Sequence, residues 1–395
     1  MKICIVNSQF NPDTPGGAEV SVKVLAESLA ASGHTTVVLT LGHKDAIMVQ
    51  NGVKVYVVAL SNIYMPFPDN RARDLFKYAW HAIDSYNPVM AHKVGRILDE
   101  ECPDLLHTNV IAGFSVAIWG EAKKRSVPLV HTIRDYYLLC PRSTMYHKGQ
   151  NCDFQCPGCR IYGITRRFFS SQVDYVVGIS NYILTKHIRQ GLFVSAQRTV
   201  IYNAYRKQHA YRNISRSRPL CFGYIGRLNP TKGIETLLRA FDDFTDADVV
   251  LLIAGTGKSE YVEMLKGKYA GARCRFIGYS TLEYFYSQVD VTVVPSLWQE
   301  PLGRVVFESY AFGTPVIGSM RGGIPEIVDD GTTGYLFNPD DPSSLTATLK
   351  KFVDDRSLVM TMRENCLEKS AQFLPERILD DYLHIYSVAR GETAA

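Results

Sequence analysis

Short apolar runs alternate with stretches whose apolar positions recur at helical spacing, and the alternation continues along most of the chain. Apolar runs at 3–6, 37–41, 104–108, 129–133, 173–179 and 198–202 predict strands. Between the first two, Val20, Val24, Leu25, Ser28 and Leu29 recur at helical spacing and Gly33 stops the helix. Further helices are predicted near 71–86, 89–100, 115–124 and 182–190, with Asn87-Pro88 and Ser180 as start signals. A polar, basic run up to Arg218 interrupts the pattern. It then restarts with strands at 220–225, 249–254, 273–277, 291–294 and 316–318, a helix carrying Ile234, Leu237, Leu238 and Phe241, and helices from Pro342 to about Arg390. Strands alternating with helices imply two doubly wound α/β domains. The boundaries read as 1–203, a linker at 204–218, 219–375, and a last segment at 376–395.

The most informative stretch is 295–316, which follows the strand at 291–294. A loop with Pro295, Ser296, Pro301 and Gly303 precedes a helix with Val306, Phe307 and Tyr310 on its buried side; Gly313 and Pro315 end it. The helix N-terminus near Gly303 offers unpaired amides and a dipole that favour an anion. Glu300 and Glu308 bracket that anion site. A carboxylate beside phosphate is repulsive unless it faces hydroxyls, so the combination points to a nucleotide-sugar. Earlier, Gly226-Arg227-Leu228-Asn229-Pro230-Thr231-Lys232-Gly233 follows a strand. A lysine in a first helical turn opposes the dipole, and a phosphate partner accounts for it. The first strand is followed by Pro15-Gly16-Gly17-Ala18-Glu19, and Leu41-Gly42-His43 stands where a ribose-binding acid belongs. Both halves of the dinucleotide fingerprint are missing, which argues against an NAD-dependent enzyme.

Glu300 to Glu308 resembles the E-x7-E signature of retaining glycosyltransferases of the GT-B fold, family 4 type. Pro-Ser before it, Glu308-x-x-Ala311-x-Gly313-x-Pro315-Val316 within it and Gly322-Gly323-Ile324-Pro325-Glu326 after it belong to the same pattern. The resemblance implies two Rossmann-like domains facing a central cleft, with the C-terminal helix crossing back to the first domain. It places Arg227 and Lys232 on the donor pyrophosphate, Glu308 on the ribose and Glu300 at the sugar near the reaction centre. Leu302, Gly303 and Arg304 also bind the donor, the base is read near Ile277, and Gly16 and Gly17 approach the donor phosphate and the acceptor. Arg134 replaces a family histidine at the end of the 129–133 strand and takes its candidate catalytic place; His131 reads as a strand residue. The family implies hexosyl transfer with retention, no protein nucleophile and no metal cofactor for catalysis. It implies a nucleotide-diphosphate-sugar donor and a glycan or lipid-linked acceptor, in bacterial surface polysaccharide or glycolipid assembly. A nucleotide-sugar epimerase and a non-catalytic sugar-nucleotide- or glycan-binding protein are the rival readings.

Composition changes this picture little. The chain has 395 residues, 46% hydrophobic and 21% charged, as expected of a soluble globular protein. A net charge of +4 is too small to suggest a nucleic-acid partner. The densest basic stretch, Arg206, Lys207, Arg212, Arg216 and Arg218, reads as a solvated linker before a membrane patch. No apolar run approaches the roughly 20 residues needed to cross a bilayer. Met1-Lys2 leads directly into the first strand without an export segment, and nine cysteines, an odd number, suit a reducing compartment. The expected location is the cytoplasm, at the inner membrane face if the acceptor is lipid-linked.

Cys4, Cys221 and Cys274 fall in strand patterns and read as core thiols. Cys140, Cys152, Cys156 and Cys159 are different, since they crowd a polar insertion at 140–159. Cys156-Pro157-Gly158-Cys159 resembles a zinc knuckle, so a structural zinc ion held by all four is one expectation. Free thiols or disulfides are another. An iron–sulfur cluster shares the Cys152-x3-Cys156-x2-Cys159 spacing, but the second half of the chain does not suit it.

Overall fold

The computed structural model describes residues 1–10, 16–66, 74–205, 219–245 and 248–392. The turn residues Pro12 and Pro15, the expected helix start at 71–73, and the basic linker at 206–218 lie outside the described residues. The chain forms two compact units: Met1–His147 with Cys152–Ala204 and Pro375–Ala395, and Lys148–Asn151 with Tyr205–Leu374.

In the first unit the strands are β1 (Lys2–Val6), β2 (Thr35–Gly42), β3 (Ala46–Gln50), β4 (Val53–Ala59), β5 (Leu105–Thr108) and β6 (Leu129–Ile133). Two-residue strands β7 (Tyr146–His147) and β8 (Gln150–Asn151) form a hairpin of their own. β9 (Tyr175–Gly178) and β10 (Gln197–Val200) complete the main sheet, in the order β10-β9-β6-β5-β1-β2-β4-β3. All its pairings are parallel except β3 with β4. β1, β5 and β6 are buried almost throughout because helices cover both faces, which is why they read as unbroken apolar runs.

The final helix, Pro375–Ala389, belongs to this unit. Ile378, Leu379, Tyr382, Ile385 and Tyr386 join Ile3, Ile5, Val22 and Leu25 in one core. Beneath it, buried His107 has Nδ1 2.7 Å from the Tyr386 hydroxyl and Nε2 2.8 Å from Thr132 Oγ1. Both ring nitrogens are therefore satisfied, as a buried imidazole requires.

Two first-unit features differ from the expectations. β3 and β4 make a hairpin where no strands were predicted; Asn51 and Gly52 both have positive φ, 50° and 78°, which an Asn-Gly two-residue turn accommodates. The cysteine-rich insertion is only partly loop. Pro157–Ser170 is a helix, with Cys156 at the N-cap and Pro157 at the first helical position.

The second unit holds β11 (Leu220–Ile225), β12 (Val249–Ala254), β13 (Cys274–Gly278), β14 (Val291–Val294), β15 (Val316–Ser319) and β16 (Gly334–Phe337). They form an all-parallel sheet ordered β13-β12-β11-β14-β15-β16. Counted within the unit this is the doubly wound order 3-2-1-4-5-6, which reverses direction between β11 and β14. Phe222, Leu251, Val291 and Ile317 from the sheet pack with Leu237, Phe241 and Phe352 from helices.

Candidate active site

Ligands of doubly wound sheets bind beyond the carboxyl ends of the strands where the order reverses. In the second unit that point lies between the loops after β11 and β14. The first loop carries Arg227 and Lys232, and the second carries residues 295–303. Leu297 and Trp298 both direct backbone N–H groups at the Thr231 carbonyl, at 2.9 and 3.2 Å, and so join the two loops.

Glycine permits this closeness. Gly233 has φ 71°, and a Cβ there would lie 1.8 Å from the Pro295 carbonyl oxygen. The loop after β15 is fitted equally tightly: Gly322 has φ 59°, and its Cβ would lie 1.9 Å from the Glu300 carbonyl oxygen. That oxygen accepts the Gly323 N–H at 2.8 Å, while the Gln299 side chain accepts the Gly322 N–H at 2.5 Å. Three loops thus hold the Glu300 backbone in place.

Glu300 is 6% exposed. Its Oε1 accepts Lys232 Nζ and Ser296 Oγ, each at 2.6 Å, and Lys232 Nζ also lies 5.1 Å from the centre of the Trp298 ring. Gly303 starts the helix Arg304–Ala311 in the left-handed conformation, φ 92°. One turn into that helix, Glu308 is buried and pairs with Arg304 Nε. Leu302 is buried, Ile277 half-buried and Arg227 exposed. A cavity of ≈220 Å³, lined by Leu228, Gly255, Gly257, Phe276 and Gly278, lies beside the first of these loops. The second unit therefore presents a lysine–carboxylate pair, an exposed arginine and a helix N-terminus around one sheet end. Neither Ser296 nor Thr231 was read from the sequence as a partner of the site; Thr231 joins two separate loops, whereas Ser296 reaches Glu300 within its own loop.

The remaining candidates lie in the first unit. Gly16 caps the helix Gly17–Ala31 without a side-chain partner, and Glu19 occupies the first turn. A Cβ on Gly16 would meet the Glu19 carboxylate at 2.6 Å. Arg134 is buried at the end of β6, its Nε donating to Asn109 Oδ1 at 2.8 Å and a second guanidinium nitrogen to Asn203 Oδ1 at 2.5 Å. Neither asparagine was identified from the sequence as a partner. Asp135 beside it accepts the Tyr137 N–H, and burial with the nearby Glu19 carboxylate pushes its pKa up to about 6. His131 is a buried strand residue, with Nδ1 2.9 Å from Thr108 Oγ1 and its ring stacked on Phe193. Burial lowers its pKa to about 3.

Nothing in the structure supports the four-cysteine zinc site. Among the described residues no group of three or more His, Cys, Asp or Glu could hold a metal ion. Three of the thiols pair with one another and with backbone amides. Cys140 and Cys156 each hydrogen-bond Cys159, and backbone amides of Arg142, Thr144 and Met145 turn to Cys140. These hydrogen bonds raise the Cys159 thiol and bring the Cys140 thiol down to about 5. Cys152 takes no part in these bonds; burial first, and then the charge on Cys140 and Cys156, raises its pKa.

Two family models divide the chain between them. The glycosyl transferase 4-like domain matches residues 16–204, and the model for glycosyl transferases group 1 matches residues 207–371. This chain belongs to the GT4-type glycosyltransferases. The glycosyltransferase is 35% identical over 333 residues to an uncharacterised 42.6 kDa protein in the cps region of Klebsiella pneumoniae, covering 83% of this chain and 87% of the relative. It is 26% identical to an uncharacterised glycosyltransferase of Methanocaldococcus jannaschii over 98% of both chains. Its fold is the GT-B fold. Sucrose-phosphate synthase from Thermosynechococcus elongatus superposes with TM-score 0.78 at 21% identity, over 99% of this chain and 100% of that one. HepE from Anabaena, in complex with UDP, gives 0.74 at 20% identity, over 98% and 100%.

Proposed function

We propose that this glycosyltransferase moves a hexosyl group from a nucleotide-diphosphate-sugar to a glycan or lipid-linked acceptor, with retention at the anomeric carbon. The observation that carries the reading is the Lys232–Glu300 pair at the order-reversal point of the second sheet, 2.6 Å apart. As the anomeric C–O bond breaks, negative charge grows on the departing diphosphate. Arg227, Lys232 and the helix N-terminus at Gly303, flanked by Arg304, are the groups that stabilise it, each worth roughly 3–4 kcal/mol. These cations take the part a divalent metal plays in other phosphate chemistry. Glu300 faces hydroxyls of the donor sugar, Glu308 faces those of the ribose, and Leu302 lines the donor site.

The cavity beside Gly255 and Gly278 takes the base, next to Ile277. Arg134, Gly16 and Gly17 are the first unit's contributions, Arg134 toward the reacting sugar and the glycines toward the donor phosphate and acceptor. The departing phosphate helps to deprotonate the acceptor, so no protein nucleophile is assigned. HepE, a protein of the same fold, has been crystallised with UDP-glucose, which supports a nucleotide-sugar donor. The cps-region relative supports a place in surface-polysaccharide assembly. The place of action in this reading is the cytoplasm, at the inner membrane face if the acceptor is lipid-linked.

The test is a panel of nucleotide-sugars screened by thermal shift, followed by mass spectrometry of the products. Free nucleoside diphosphate and a glycosylated acceptor are expected. Interconversion of the donor sugar without diphosphate release would overturn the assignment in favour of an epimerase.

A further inference from the structure

In the first unit, the helix Pro157–Ser170 is inside-out. The residues it buries are Gly163, Arg166 and Ser170. Those it exposes include Ile161, Ile164 and Phe168, at 69%, 68% and 69% of their full surface. The spacing of three and four residues places these three on one stripe. At about 100° per residue, the exposed Arg160 and Arg167 border the same stripe. The fourteen residues contain three arginines and no acid.

The neighbouring helix, Asp74–Ser85, repeats the inversion in part. It buries Trp80 together with Asp84 and Ser85, while Phe76, Tyr78 and Ile83 are exposed, as is Tyr86 just beyond its end. The two helices are joined side by side: Thr165 Oγ1 donates to the Ser85 carbonyl at 2.8 Å, and the Tyr86 and Phe169 rings stack at 4.9 Å. Their polar side is fixed inward. Asp84 accepts the Tyr137 hydroxyl and the Gly113 N–H, each at 2.6 Å, and Arg166 lies over the Tyr137 ring at 4.0 Å. The inward side thus carries a polar network beside buried Trp80, and turning the pair to hide its exposed apolar side chains would break that network.

A helix in contact with water gains by burying its apolar side, so the reverse arrangement marks a surface that meets something apolar. We infer that the paired helices Asp74–Ser85 and Pro157–Ser170 form a docking face for an anionic lipid bilayer. Apolar side chains bordered by arginines, with aromatic rings among them, are the chemistry that seats an amphipathic helix at the headgroup level. The excess of arginine on the Pro157–Ser170 helix complements acidic lipid. Asp153, next to exposed Phe154, and Asp174 are the acids nearest to that helix in sequence, one on each side. The face gives a place to the lipid-linked acceptor of the proposed function, and it rests on that reading for the acceptor alone.

The test is flotation of the full chain with vesicles of phosphatidylcholine, with and without phosphatidylglycerol, at low and high salt. The protein is expected to float with the phosphatidylglycerol vesicles and to be partly released by salt. The triple variant Ile161→Ser, Ile164→Ser, Phe168→Ser should lower the partition coefficient at least about tenfold. The pair Arg160→Gln, Arg167→Gln should remove the preference for phosphatidylglycerol. Far-UV circular dichroism and donor hydrolysis without acceptor should stay unchanged in both, because these side chains are exposed and lie outside the donor site. Wild-type protein that floats with neither vesicle would overturn the inference, and so would a triple variant that floats equally well. A wild-type dimer that the triple variant dissolves, without vesicle binding, would also overturn it and assign the face to a second copy of the chain. Donor turnover is read separately from flotation, so either claim can fail alone.

Discussion

Lys232 and Glu300 lie 68 positions apart in the chain, yet their charged atoms stand 2.6 Å apart at the end of one sheet. The order of β11 and β14 makes the pair: adjacent parallel strands bring their following loops together. Both charges are consequently in position before any ligand arrives, which is the preorganisation that charge-stabilising catalysis needs. Replacing Lys232 with Ala should lower kcat by roughly 10²–10³ while the circular dichroism spectrum is retained. Lys232→Arg should restore only part of the rate, because a planar fork does not replace a point charge. Unchanged turnover in Lys232→Ala would remove the lysine from the mechanism.

Gly322 supplies a steric test of the same site. A methyl group there would lie 1.9 Å from the Glu300 carbonyl oxygen, on a backbone with φ 59°. Gly322→Ala should cost about 1–3 kcal/mol and lower Tm by several degrees, with activity falling further than stability. Gly267 is the internal control. It lies in the helix Ser259–Tyr269, and a Cβ there meets nothing within 4 Å. Gly267→Ala should raise stability by about 0.4–1 kcal/mol. Melting curves of the two variants should therefore move in opposite directions.

Acid should weaken the first unit. Burial lowers His131 to about 3, His81 and His187 to about 4, and His107 well below its ordinary 6.5. The unfolded chain then binds more protons than the folded one below pH 6.5, so each of these groups costs up to about 1.4 kcal/mol per pH unit on acidification. Buried Asp84 and Asp135 work the other way. Raised from 3.8 to about 6, they favour the folded state as pH falls from 6 towards 4. Four histidines outweigh two aspartates, and the urea midpoint of this unit should drop between pH 6.5 and 4. His131→Phe should make that dependence shallower; an unaltered slope would contradict the assignment.

The cysteine insertion should show graded thiol reactivity. Cys156 is exposed and caps a helix, and amides of Cys159 and Gly158 hold its pKa below the usual thiol range. Cys152, raised by burial and neighbouring thiol charge, should need a higher pH. Alkylation with iodoacetamide across pH, read by peptide mass spectrometry, should label Cys156 at a lower pH than Cys152. The reverse order would refute the hydrogen-bond pattern.

Much of the fold was legible because buried parallel strands leave unbroken apolar runs. The candidate site was legible where it is local, as in Glu300 to Glu308 or Arg227 to Lys232. Contacts between loops were not, and Thr231 with Leu297 and Trp298, or Asn109 and Asn203 with Arg134, needed the topology. The hairpin at 46–59 did carry a signal, the Asn51-Gly52 turn, which the mixed composition around it obscured. The helix Pro157–Ser170 was missed because its cysteines drew attention to a metal-binding loop, and because its apolar residues face outward. Spacing alone cannot say whether four thiols converge on an ion or hydrogen-bond one another.

The central claim is that the second unit grips a pyrophosphate through Arg227 and Lys232. Isothermal titration with UDP tests it most directly, comparing the wild type with Arg227→Ala, Lys232→Ala and the double variant. The claim predicts saturable binding by the wild type, a loss of roughly tenfold or more for each single change, and no measurable heat of binding for the double variant. A double variant that binds UDP as tightly as the wild type would contradict it.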